Sequence, residues 1–331
     1  MIYFNGEFIP LTQLKIEPSD RGFLLSDGLF ETMRVYEGEV FCLEEHYTRL
    51  QKGADTLKIP LPLKLKELND ILSKLLQENN LTNKNATLRI TLTRGAGPRG
   101  LLPPSEPKST IMITAAPLSP AEHLSLKLHI CTKTRRNEKS PLSNLKSLGY
   151  LDNILAKMEA SEHKADDAIM LNTKDKVACT SAGNIFIVTH YNTVITPRIE
   201  DGILPGITRE FVIEHCKKNK IPLIEKELTI ENILDAKEIF ITNSVLEIQP
   251  VAMVNNQPIS DGKIGEITIK LKELYKQETK KTKKISIASN EKQYQNPALL
   301  VNNFDKMANT EGSSVQPIHI MPEGEKIEFK Q

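Results

Sequence analysis

The chain has 331 residues, enough for two cores of ordinary size, and its 43 Lys and Arg nearly cancel 42 Asp and Glu, leaving a net charge of +1. That balance supplies no field toward nucleic acid, a membrane surface or a polyanionic partner. Cys42, Cys131, Cys179 and Cys216 lie far apart with no CxxC pair, which speaks against a disulfide scaffold or structural zinc and fits a reducing compartment.

From the N-terminus, "MIYFNGEFIP" lacks the basic and long apolar regions of a signal peptide and reads as a hairpin turning at Asn5-Gly6. A strand, "FETMRVYEGEVF", turns at Glu37-Gly38. Leu43, Tyr47, Leu50, Ala54 and Leu57 then recur at helical spacing, and a second helix is expected from about 64 to 77. Two strands, "ATLRITLT" and "STIMITAA", flank the loop "RGAGPRGLLPPSEP". The pattern predicts an α/β (α+β) unit over 1–116 and a linker over 117–125. A second unit over 126–278 opens with "LKLHICTK" and a helix near 150–163, followed by short strands at "DAIML", "KVACT", "NIFIV" and "TVITP". It closes with a helix after "LPGIT", the strand "EIFITN" and a last helix near 262–279. The polar, aromatic-poor stretch 279–331 is expected to be a disordered tail. No apolar run reaches membrane-spanning length, so a cytoplasmic globular protein is expected.

Four features carry candidate chemistry. Lys146, in "SNLKSLGYL", reads either as a solvated lysine at a helix N-terminus or as a sheltered amine whose burial favours the neutral, nucleophilic form. In "LPGITRE", Ile207 and Thr208 open a helix whose free amides suit a phosphate, or simply a capped helix. Asn243 and Ser244, in "ITNSVLEIQPV", offer loop donors after a strand, or a plain turn. Arg49, in "EEHYTRLQ", lies at the edge of its helix's apolar stripe, where it either reaches an anion or stays in solvent.

Taken in this order, these features resemble the fold-type IV pyridoxal-phosphate enzymes, the class IV aminotransferase family, from Met1 to about Tyr275. The stretch "SAGNIFIV" followed by "LPGITR" is the most specific match. The resemblance implies two domains with pyridoxal 5'-phosphate in the cleft between them, Lys146 as the lysine that bonds it, and a homodimer acting on a small amine or carboxylate substrate. It also implies that Arg49, Ile207, Thr208, Asn243 and Ser244 bind the cofactor and that Tyr150 faces its phenolate. No metal is implied.

Within the family, "DGLFETMRVYEGEVFCLEEHYTRL", "RGAGPRG" and "TNSVLEIQPV" are similar to 4-amino-4-deoxychorismate lyases. Branched-chain and D-amino-acid aminotransferases are the alternative, and a catalytically weak cofactor-binding protein is the alternative of another class. Phe30, expected on the substrate side of the site, stands where D-amino-acid aminotransferases tend to carry a tyrosine. Arg94 and Arg99 are expected to engage substrate carboxylates, since guanidinium forks suit them. One departure stands out: the family's glutamate five residues before Asn184 is Cys179 here, so that wall of the cofactor site carries a thiol. A nearby acid such as Asp175 or Glu247 is a candidate substitute.

Overall fold

The computed structural model describes residues 1–118 and 124–292, with side chains described as far as Lys280. In its first half come β1 (Ile2–Phe4), β2 (Glu7–Ile9), the short helix α1 (Arg21–Leu25), β3 (Gly28–Tyr36), β4 (Glu39–Val40), α2 (Leu43–Leu57), α3 (Leu65–Glu78), β5 (Ala86–Thr93) and β6 (Thr110–Pro117). The strands form an antiparallel sheet in the order β2-β1-β6-β5-β3-β4. Its core follows from two periodicities. Leu29, Glu31, Met33 and Val35 alternate inward along β3, while Leu68, Leu72, Leu75 and Leu76 line one stripe of α3. Burying each leucine contributes roughly 2 kcal/mol. Glu31 is the one carboxylate on that inward face of β3.

The second half contains β7 (Leu126–Ile130), α4 (Leu151–Glu162), β8 (Asp167–Leu171), β9 (Val177–Thr180), β10 (Asn184–Val188), β11 (Val194–Thr196), α5 (Ile207–Lys218), β12 (Leu223–Glu225), α6 (Ile230–Leu234), β13 (Glu238–Asn243), β14 (Glu247–Val254), β15 (Gln257–Pro258) and α7 (Glu266–Lys292). The sheet order is β12-β11-β10-β13-β14-β7-β8-β9, with β15 on β14. Both faces of its centre are covered, which is why "NIFIV" and "EIFIT" read as continuous apolar runs. Ile185, Ile187, Ile239 and Ile241 pack on one side with Ile233 of α6. On the other side Phe186 stacks on Phe240 at 4.8 Å beneath Phe211 and Val212 of α5 and Leu271 and Tyr275 of α7.

Two expectations change here. The last helix begins at Glu266, and it continues to Lys292 rather than dissolving near 279. Leu271 and Tyr275 anchor it in the core, at 0% and 1% exposure, and the following polar residues carry the helical pattern onward. The rest of the expected tail, 293–331, lies outside the described residues, as do 119–123 of the expected linker. No described helix is long and apolar enough to cross a membrane.

Candidate active site

A cavity of about 610 Å³ opens between the two sheets, and Lys146 is in its wall. Backbone pairing fixes the lysine: Phe30 N–H donates to the Lys146 carbonyl at 2.9 Å and Leu148 N–H to the Gly28 carbonyl at 3.0 Å. Gly28 is required by this approach, since a Cβ there would stand 2.5 Å from the Leu92 carbonyl oxygen and 2.7 Å from Leu148 Cδ1. Lys146 therefore lies on an extended segment ahead of α4, not at the helix N-terminus of the solvated-lysine alternative. Shelter comes from the Phe30 ring, 4.4 Å from Nζ, and the Tyr150 ring at 5.9 Å. Nζ has no hydrogen-bond or ion-pair partner among the described residues. Burial lowers its pKa to about 8, with Arg49 and Arg89 acting in the same direction against Glu31. Phe30 is not itself part of the cavity wall. Its ring stands behind the lysine, with the Arg89 guanidinium 4.0 Å from it, so the substrate contact expected of Phe30 is replaced by packing against the amine.

Gly206, Ile207, Thr208, Asn243 and Ser244 meet at one end of the cavity. The N-cap Gly206 offers no side-chain acceptor to the first amides of α5, so those donors face the hollow. A Cβ on Gly206 would lie 2.0 Å from Asn184 Oδ1. Asn184 in turn donates to the Leu204 carbonyl at 2.9 Å, so glycine lets the helix start against β10. Asn243 uses its side chain locally, accepting from Val245 and Leu246 amides at 2.9 and 2.7 Å. Ser244 is the hydroxyl left facing the space.

Behind this cradle, Arg49 clasps Glu31 with Nε and Nη2, both at 2.8 Å, and donates Nη1 to the Pro205 carbonyl at 3.0 Å. His46 Nδ1 lies 2.7 Å from Glu31 Oε2, and its Nε2 lies 3.4 Å from Ser244 Oγ. Burial alone would raise the Glu31 pKa, but Arg49 and His46 overcome it and hold the carboxyl at about 2. The fork on Arg49 is thus set by an ionised, fully buried partner.

Arg94 reaches the wall but not as expected. Its guanidinium bonds to Asp27 at 2.7 and 3.0 Å and to the carbonyls of Lys58 and Leu57 at 2.9 and 2.8 Å. Arg21 shares the same carboxylate, at 2.8 Å, and holds the Gly100 and Leu101 carbonyls at 2.8 Å each. This bracket fixes the loop that carries Leu101 and Pro103 to the cavity mouth. Arg99, on that loop, is exposed and off the cavity wall, so in this chain's own cavity neither arginine offers a free fork to a substrate carboxylate.

Cys179 and Tyr150 line the opposite wall beside Arg136. Burial raises the Cys179 thiol pKa, which keeps it protonated and neutral despite Arg136. Tyr150 is raised by burial too, with Arg136 opposing. Arg136 donates to the carbonyls of Gly202 and Ser143 at 3.1 and 2.8 Å, so its charge is not cancelled by a carboxylate in these bonds. Neither expected substitute acid is in the wall: Asp175 pairs with Arg135 at the surface, and Glu247 is bound by Tyr36 and Arg34. Five cations, Arg21, Arg49, Arg94, Arg136 and Lys146, line the cavity against Asp27 and Asp152. With Arg21 and Arg94 on Asp27 and Arg49 on Glu31, Arg136 and Lys146 remain as charge for an anionic guest. The set suits a molecule with a phosphate at one end and a carbonyl within reach of an amine.

Sequence reasoning missed Glu31, His46, Arg136 and the Arg21–Asp27 bracket. For the first two a signal existed. Glu31 falls on the inward parity of β3, and His46 precedes Arg49 by three residues on one helix face. No local pattern marked Arg136, whose partners are 7 and 66 residues away.

Comparison with known proteins identifies the family. The family model described as amino-transferase class IV matches residues 28–254. The putative branched-chain-amino-acid aminotransferase of Methanocaldococcus jannaschii is 38% identical over 83% of this chain and 95% of its own length. The aminodeoxychorismate lyase of Bacillus subtilis is 33% identical over 85% and 95%. The solved branched-chain amino acid aminotransferase of Escherichia coli superposes with a TM-score of 0.79 at 26% identity, covering 83% of this chain and 92% of that one. The chain belongs to the class IV aminotransferase family and has the fold-type IV architecture of those enzymes.

Proposed function

We propose that this chain is a pyridoxal 5'-phosphate-dependent lyase that converts 4-amino-4-deoxychorismate to p-aminobenzoate and pyruvate. The cofactor follows from the family, in which a branched-chain aminotransferase of the same fold is solved with pyridoxamine 5'-phosphate. When bound, it supplies an electron-accepting ring that acidifies the carbon bearing the substrate nitrogen. The unpartnered amine of Lys146 and the uncapped amides at Gly206–Thr208 fit its two functional ends. In this reading the cofactor sits in a cleft between two domains, 1–116 and 126–278. Arg49, Ile207, Thr208, Asn243 and Ser244 hold its phosphate, and Tyr150 and Cys179 flank its ring.

The protein's own contributions follow from the site. Lys146, with a pKa of about 8, is substantially neutral at slightly alkaline pH and takes the proton from the nitrogen-bearing carbon. Glu31 keeps Arg49 aimed at the cradle. Phe30 and Tyr150 restrict the lysine's sweep and exclude water from it.

The observation that carries the lyase reading is Cys179, a neutral buried thiol where the family resemblance implies a carboxylate. Loss of the proton on the nitrogen-bearing carbon, with departure of pyruvate as its enol, leaves an aromatic ring, and this gain drives the reaction without a charge on that wall. Transamination lacks the same driving force. The 33% identity to an aminodeoxychorismate lyase supports the same reading. The second reading, a branched-chain or D-amino-acid aminotransferase, is favoured by the 38% identity to a putative branched-chain enzyme. Exposed apolar side chains, Leu101 of the cavity wall at 83% and Phe23 and Leu151 at 75% each, support a homodimer. The remaining expectation is that it works in the cytoplasm. Pyruvate released from 4-amino-4-deoxychorismate by purified, cofactor-loaded protein supports the lyase. Exchange between an amino acid and 2-oxoglutarate without pyruvate release replaces it with the aminotransferase, and bound cofactor without either activity leaves a binding protein.

A further inference from the structure

Glu31, His46 and Ser244 form a chain of three polar groups that ends at the cradle. Glu31 is 1% exposed and His46 2%; Ser244 is half-buried and lines the cavity. Because the Glu31 carboxylate is ionised, it can only accept, so His46 Nδ1 must carry a hydrogen and donate across the 2.7 Å contact. Only Nε2 is then free to change state. With Nε2 bare, the Ser244 hydroxyl donates to it across 3.4 Å and presents lone pairs to the cavity. With Nε2 protonated the bond reverses: His46 donates to Ser244 Oγ, and the serine hydrogen turns toward the cradle. A phosphate monoester accepts hydrogen bonds and repels lone pairs, so it binds the second arrangement better.

We propose that His46 takes up a proton at Nε2 when a phosphate monoester enters the cradle, turning Ser244 from an acceptor into a donor and making anion binding proton-linked. The proposal rests on the cofactor reading above. His46 is a positioning residue that acts through Ser244. The charged groups that face it are Glu31 on β3, Arg49 on its own helix and Lys146. Burial, Arg49 and Lys146 favour neutral His46 in the empty cradle, while Glu31 opposes them. An incoming phosphate adds a second negative charge near the imidazole and tips that balance. Since the bound state holds the proton more tightly, the coupling is complete at low pH. It is lost as pH rises through the His46 value of the complex.

The test is calorimetric titration of the whole protein with pyridoxamine 5'-phosphate, which has no aldehyde to react with Lys146, from pH 6.5 to 8.5 in buffers of different ionisation enthalpy. Binding by the wild type is expected to take up more protons than binding by His46→Asn, by about half to one, with pyridoxamine lacking the phosphate as the control that shows no such difference. Affinity for the phosphate form should fall by up to about tenfold per pH unit between the His46 values of the empty cradle and of the complex in the wild type, and level off above; this component should vanish in His46→Asn. A Ser244→Ala protein, with His46 intact, should lose the part of this component that runs through the hydroxyl, and full retention of it overturns the serine's part in the coupling. Equal proton uptake by wild type and His46→Asn overturns the proposal while leaving the cofactor reading intact. Absence of any binding of pyridoxamine 5'-phosphate overturns both.

Discussion

Glu31→Gln tests the charge on which the site is built, because it keeps shape and exchanges one carboxylate oxygen for a neutral amide nitrogen that can no longer accept from Arg49 or His46. Glu31 is 1% exposed and accepts two bonds from Arg49 and one from His46. Its carboxyl sits at about 2 against an ordinary 4.5, a gap worth about 3 kcal/mol of stability. Breaking a buried ion pair by neutralising one member costs about 3–5 kcal/mol by an independent route. Glu31→Gln should therefore lower the unfolding free energy by about 3 kcal/mol at pH 7, read from urea denaturation of both proteins. The sign with pH is fixed. A carboxyl whose folded value is depressed contributes fully above its unfolded value and loses that contribution as pH falls toward 2. At pH 4 the wild type should already have lost about 1 kcal/mol of its advantage, narrowing the gap to about 2 kcal/mol. A gap below about 1 kcal/mol at pH 7, or one that widens on acidification, would refute the reasoning.

Other consequences are as specific. The neutral fraction of Lys146 rises with pH through about 8, so capture of pyridoxal 5'-phosphate, followed by absorbance after mixing, should speed up about tenfold per pH unit below 8 and level off above; a pH-independent rate contradicts this. Gly206→Ala places a Cβ 2.0 Å from Asn184 Oδ1, and should push the side chain aside and break the Asn184–Leu204 bond at about 1–2 kcal/mol, weakening cofactor affinity roughly tenfold by fluorescence titration. Arg21→Ala releases the Gly100 and Leu101 carbonyls and should make the 95–109 loop open about tenfold more often. Limited proteolysis reads this as faster cleavage there, and an unchanged rate would remove the bracket's assigned role.

Much of the fold was legible because its cores obey short periods. The leucines of α3 and the alternation of β3 mark their own burial, and the apolar runs of β10 and β13 mark a sheet covered on both faces. The site was legible where a motif is local: Ile207 and Thr208 open their helix, and Ser244 follows its strand. What stayed hidden depends on distance in sequence. Arg94 looked like a free fork on a glycine-rich loop, and only Asp27, 67 residues away, reveals that its guanidinium is already engaged. Lys146 was placed at a helix end because α4 follows closely. The pairing of its segment, Lys146 with Phe30 and Leu148 with Gly28, comes from the other half of the chain. The length of α7 was underestimated because polarity after Thr279 masks a helix held by Leu271 and Tyr275.

Borohydride reduction of the cofactor-loaded protein, followed by proteolysis and mass spectrometry, tests the central claim most directly. A single phosphopyridoxyl group should be found on the peptide containing Lys146, and Lys146→Ala protein should carry none. Labelling of a different lysine in the wild type, or none at all, would contradict the account.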